Sequence, residues 1–146
     1  ILPLFARGEV DAAWTVEPWV SRLEMEGGGK LIFAEPAETS LTTVLSASEK
    51  YAEAEPGTLA ALAAAHQELT EWIKANPEEA RKRVADELTK QMRREFSPLL
   101  VDHAWPRLVF ENAVSRENFE NSLAAAKDAG FIKGEHDLKG LVHTGE

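Results

Sequence analysis

The side chains best placed to do chemistry stand together near the start of the chain. Trp14-Thr15-Val16-Glu17-Pro18-Trp19 puts two indoles, a hydroxyl and a carboxylate within six positions. An indole covers an alkyl chain or a planar group and keeps one N–H for a polar partner. The carboxylate of Glu17 has three open uses: to pair with a cation, to accept from a ligand amine or hydroxyl, or to cap the helix that Pro18 opens. A structural reading stands beside the binding one, with both Trp filling the core. Elsewhere the convergent groups that catalysis needs do not gather. His66, His103, His136 and His143 are scattered, with no zinc-ligand spacing, and the chain has no Cys to serve as thiolate or ligand. Serine nucleophile elbows, phosphate loops and dinucleotide fingerprints are missing, and Gly27-Gly28-Gly29 follows a helix pattern instead of a strand. No catalytic residue, metal ligand or cofactor is assigned.

The elements that must position the Trp-rich segment are short. Val10 to Thr15 reads as a mostly buried strand, and a helix follows from Pro18, with Trp19, Val20 and Leu23 on its apolar face and the glycine triplet as its stop. Lys30 to Ala34 reads as a second strand and Leu41 to Ser46 as a third, so strand, helix and strand imply an α/β layer with parallel pairing. In such a layer Trp14 to Trp19 occupies the carboxyl end of a strand and the amino end of a helix, where open sheets bind ligands. From Pro56 the pattern turns helical: Leu59, Leu62, His66, Leu69 and Ile73 recur at three- and four-residue steps, which makes His66 a core or boundary histidine. Asn76-Pro77-Glu78-Glu79 predicts a capped start for the next helix, carrying Ala80, Val84, Leu88 and Met92. Further helices are expected around Leu99 to Trp105 and from Ser115 to Gly130.

Composition bounds the classes. With 146 residues, 44% hydrophobic and 28% charged, the chain has the make-up of a soluble globular protein of one-domain size. The net charge of −9 opposes nucleic acid and anionic membranes. The basic runs Arg81-Lys82-Arg83 and Arg93-Arg94 lie among acids and read as a solvated face. The chain opens on Ile1-Leu2-Pro3-Leu4-Phe5 without an initiator Met or a basic leader, which suggests a removed leader or a start inside something longer.

Gly8-Glu9-Val10-Asp11-Ala12-Ala13-Trp14-Thr15-Val16-Glu17-Pro18-Trp19 resembles the "G-x-V-D-A … E-P-W" segment of the substrate-binding proteins of ABC importers for nitrate, taurine and aliphatic sulfonates, whose superfamily also holds thiamine-pyrimidine biosynthesis proteins. The later order of helices, Asp128-Ala129-Gly130 and the closing Asp137 to Val142 agree with the carboxyl-terminal portion of those receptors. The resemblance implies an α/β chain that is part of a two-lobed type II periplasmic-binding fold. Residues 1–36 would end the second lobe, and 37–146 would form the crossover and return to the first lobe with the carboxyl-terminal helices. It implies ligand contacts at Trp14, Thr15, Glu17, Trp19, Thr42 and Thr43, and a small anionic or zwitterionic solute in an interlobe cleft. The ABC permease would be the partner of the intact receptor. The expected location is periplasmic or lipid-anchored extracellular. Such receptors are longer than this chain, so the resemblance implies a truncated portion whose exposed apolar surface self-associates. The chain would bind and not catalyse; the alternative is an enzyme on the same scaffold, a desulfinase or a synthase of the thiamine-pyrimidine precursor.

Overall fold

The computed structural model describes residues 1–34, 43–93 and 95–141. Its elements are helical. In order they are α1 (Leu2–Ala6), α2 (Trp19–Gly27), α3 (Glu49–Ala54), α4 (Pro56–Ala75), α5 (Pro77–Met92), α6 (Pro98–Ala104), a 3-10 turn (Trp105–Arg107) and α7 (Arg116–Asp128). The chain divides into two compact units, Ile1–Ala34 with Trp72–Phe110, and Glu35–Glu71 with Glu111–Glu146.

In the first unit, α2 ends where its sequence says it should. Gly28 takes a left-handed φ of 69°, which costs a glycine nothing, and the Gly29 amide donates back to the Leu23 carbonyl. The triplet also permits a close approach. A Cβ on Gly27 would stand 3.1 Å from Leu2 Cδ1 and 3.2 Å from Phe5 Cδ1, so α1 packs where only hydrogen atoms leave room. Helix α5 delivers its period-four residues as expected. Ala80 and Ala85 are buried, and Val84, Leu88 and Met92 lie against a core of Ala85, Phe96, Leu100 and Val101 that Trp19 and Trp105 close from the sides. Trp19 meets Phe96 edge to face, with centroids 6.2 Å apart. Pro98 opens α6 and Pro106 tightens its end into the 3-10 turn, since proline supplies no amide for a further helical bond.

The second unit is built differently. Most of α4 lies in it, and Thr70 is the buried residue of that helix; Leu62, His66 and Leu69 are exposed. The helix is as predicted, but Leu62 and Leu69 of its apolar stripe are exposed, and His66 is not a core histidine. Its Nδ1 lies 2.9 Å from Asn112 Oδ1, which also accepts from Thr70 Oγ1 at 2.8 Å. The short helix α3 lacks any apolar period but has a start signal, the Ser48 hydroxyl accepting the Tyr51 amide.

Three expectations differ from the structure. Among the described residues no strand forms: 10–15 and 30–34 run without regular structure, and 43–46 likewise. A strand is defined by a neighbour's backbone, and β-branched, aromatic sequence does not supply one. Within 30–34, Ile32 is 89% exposed. The Asn76 side chain does not cap α5; its amide donates to the Trp72 carbonyl, and Glu79 turns to Arg83 at 3.0 Å. Ser115 likewise precedes α7 without a side-chain cap. Thr42, most of the expected crossover and the start of the third predicted strand lie outside the described residues.

Candidate functional site

The segment Trp14 to Trp19 enters α2 through a cis Glu17–Pro18 peptide. The Val16 carbonyl accepts from the Trp19 amide at 2.9 Å, and the Pro18 carbonyl from the Arg22 amide at 3.0 Å. Glu17 stands just ahead of the helix, and its Oε2 accepts the Ser21 amide at 3.0 Å, satisfying one of the amides that a helix start leaves bare. The carboxylate therefore does cap, as one of its three readings held.

It also pairs with a cation. Glu17 Oε1 lies 2.9 Å from Arg107 Nη1, and the Glu17 side chain is only 7% exposed. The two attract as charges, but the N–H is not aligned for a hydrogen bond, so both atoms stay buried without one. Arg107 Nη2 donates to Glu24 Oε2 at 2.6 Å and to His103 Nδ1 at 3.1 Å. Since an arginine only donates, His103 Nδ1 accepts and the ring proton sits on Nε2. The Ser21 hydroxyl lies 3.1 Å from the same nitrogen. Arg107 holds the Glu24 carboxyl below its ordinary range, chiefly by its hydrogen bond; partial burial opposes the shift and the charge of Arg107 adds to it. Two carboxylates from α2 and its approach thus grip one guanidinium from the turn after α6. The formal balance is one negative charge in excess.

Ser21, His103 and Glu24 look at first like the parts of a nucleophilic relay, but the geometry withholds the chemistry. Ser21 is fully buried, so its hydroxyl meets no substrate, and His103 Nδ1 is already occupied by Arg107. Glu24 reaches that nitrogen only at 3.8 Å and is held by Arg107 instead. The cluster fastens α2 to α6. Among the described residues no group of three or more histidines and carboxylates is arranged to hold a metal ion.

The predicted site residues divide. Glu17 is inside the polar cluster. Trp19 is half-buried and packs against the hydrophobic core. Thr15 is half-buried. Trp14 is 73% exposed, and its ring lies 5.7 Å from that of Phe33 with the planes tilted by 33°. Thr43 is exposed and belongs to the second unit, and Thr42 is not among the described residues. Arg107, His103, Ser21 and Phe33 were not singled out as site residues from sequence. Arg107 and Glu24 are 83 positions apart, and no local spacing announces such a pair. The one available signal was chemical: a glutamate bracketed by two Trp needs a cation.

Searches of curated proteins and of solved structures each returned no match. A sequence model described as the NMT1-like family matches residues 1–89, a span that contains the Trp14 to Trp19 segment, α1 to α4 and most of α5. That match covers more than half of the chain, which therefore belongs to the NMT1-like family, broadly one of solute-binding proteins.

Proposed function

We propose that the chain is part of the solute-binding receptor of an ABC importer and takes a small anionic or zwitterionic solute, of the sulfonate, taurine or nitrate class, in a cleft between two α/β lobes of type II periplasmic-binding architecture. Residues 1–36 end one lobe and 37–146 cross over and return to the other. The receptor works outside the cytoplasmic membrane, periplasmic or lipid-anchored, and delivers to its permease without turning the solute over. The observation that carries this reading is the family match over residues 1–89, which includes the "G-x-V-D-A … E-P-W" segment. A bare Glu17 would repel a sulfonate or nitrate, and Arg107 at 2.9 Å offsets part of that repulsion while also pairing with Glu24. Trp14, Thr15, Glu17, Trp19, Thr42 and Thr43 remain the contact residues of the proposal, with Glu17 acting through its pairing. Exposed Trp14, Ile32 and Phe33 are apolar surface that supports self-association.

The test is a tryptophan-fluorescence screen of nitrate, ethanesulfonate and 2-aminoethanesulfonate against the receptor that carries this segment. Saturable binding of at least one of the three supports the reading. A folded receptor that binds none of them contradicts it.

A further inference from the structure

Two observations where α2, α6 and the 3-10 turn meet bear on His103. The first is a hydrogen bond left unmade. Glu17 Oε1 and Arg107 Nη1 stand 2.9 Å apart and are both buried, yet neither has a hydrogen-bond partner. Burying polar atoms in that state costs free energy that alignment of the N–H would recover. The second is what holds the guanidinium back. Arg107 Nη2 is shared between Glu24 Oε2 at 2.6 Å and His103 Nδ1 at 3.1 Å, so the same group is drawn to the histidine. Histidine is the side chain that ordinarily changes charge between about pH 5 and 8, and a proton on Nδ1 turns an acceptor into a donor. The His103 side chain is 41% exposed, so solvent protons reach it. Its neighbours on α2 are set to receive that donor. The Ser21 hydroxyl, 3.1 Å away, rotates and accepts as readily as it donates, and Glu24 Oε2 lies 3.8 Å from the same nitrogen. On α6 itself the next charge is Asp102, which pairs with Arg81 of α5 at 3.3 Å and so leaves the charge count of the cluster unchanged.

We propose that His103 is a pH-sensitive latch on Arg107. With the imidazole neutral, Nδ1 accepts from Arg107 and the Glu17 bond stays unmade. When Nδ1 takes a proton from solvent it stops accepting, its N–H turns to Ser21 Oγ and the charge of Glu24, and it repels the guanidinium. Arg107 then aligns with Glu17 while keeping Glu24. The exchange also closes the charge count: two carboxylates and one guanidinium leave one negative charge in excess, and the imidazolium balances it. Since Glu17 caps α2 through the Ser21 amide, the latch sets how firmly the start of α2 is tied to the turn after α6. Acid tightens that tie, and a neutral imidazole slackens it.

Nitrogen NMR of the 146-residue chain between about pH 8 and about pH 5.5, above the ordinary glutamate range, tests this directly. At the upper pH the His103 ring is expected as the Nε2–H tautomer with a bare Nδ1. As the pH falls, the Arg107 Nη resonances should shift along the same curve as His103 Nδ1, with a shared midpoint. Over the same range the guanidinium protons should exchange more slowly with water and the Glu17 carboxyl carbon should shift, as the bond between them forms. In His103→Gln the side-chain oxygen still accepts but takes up no proton, so all three changes should be lost; unchanged helical circular dichroism checks its fold. An Nδ1–H tautomer at the upper pH, Arg107 signals that ignore the His103 titration, guanidinium exchange that does not slow, or changes that persist in His103→Gln would each overturn the proposal. Where the variant does not fold, the tautomer, the shared midpoint and the exchange rates of the parent chain decide alone.

Discussion

The two units are made from similar proportions of helix, yet among the described residues one closes a core and the other does not. In the first, α2, α5 and α6 bring Trp19, Val84, Leu88 and Trp105 around Phe96, Leu100 and Val101. In the second, Thr70 is the buried residue among those described, and it is held by hydrogen bonds to the His66 carbonyl and Asn112. The contrast teaches that amphipathic period is an offer of packing, taken up only where another element presents a complementary face. Leu62 and Leu69 of α4 satisfy the period as well as Val84 and Leu88 of α5, but stay exposed. The consequence for function is that Glu17 and Trp19 are anchored in the unit with a core, while Trp14, a few residues earlier, stands clear of it.

The strongest way to break the contrast is to open the first core. Phe96→Ala should lower the unfolding free energy by about 4 kcal/mol, from lost burial and the cavity left behind, read by urea denaturation. A loss under about 1 kcal/mol would mean that this core does not hold the unit together. Next in size is Arg107→Ala, which strands the buried Glu17 carboxylate and should cost about 3 kcal/mol. Glu17→Gln made with it should recover part of that loss, because the stranded charge is then gone. A double variant no better than the single would assign the effect to packing of the arginine stem.

A pH series sharpens the same point. Glu24 has its pKa depressed in the folded chain, mainly by Arg107, so its contribution is complete above the usual glutamate range near 4.5 and is lost as pH falls through the lower folded value. Denaturation midpoints between about pH 5 and pH 3 should therefore fall more steeply for the parent chain than for Glu24→Gln. Parallel pH profiles would show that Arg107 does not depend on Glu24. The smallest effect belongs to the second unit. Thr70→Val removes the hydroxyl that joins α4 to Asn112 and should cost about 1 kcal/mol, visible as faster amide exchange around Asn112 with little change near Phe96.

Much of the helical frame was legible because its signals are local. The glycine triplet after α2, Asn76-Pro77 before α5 and the spacing of Ala80, Val84, Leu88 and Met92 each report on a few neighbouring residues. The strands were misread because Val10 to Thr15 and Lys30 to Ala34 carry β-type residues, while a ladder depends on a backbone elsewhere. Helix α3 was missed for the opposite reason: Ser48 marks its start, but six residues give no period. The candidate segment itself was legible, as two Trp around a glutamate. Its wiring was not, because Arg107, His103 and Glu24 meet only after α2 docks on α6, and sequence separation hides such partners.

The proposed solute-binding edge is the segment entering α2, presented by a base in which two carboxylates share one guanidinium. Its most direct test is calorimetric titration of 2-aminoethanesulfonate into the receptor that carries this segment and into its Trp14→Ala variant. Saturable binding is expected, weakened at least about tenfold in the variant, a loss of about 1.4 kcal/mol, with the helical signal intact. Equal affinity in the two proteins would contradict it and return Trp14 to the role of an exposed side chain without a ligand.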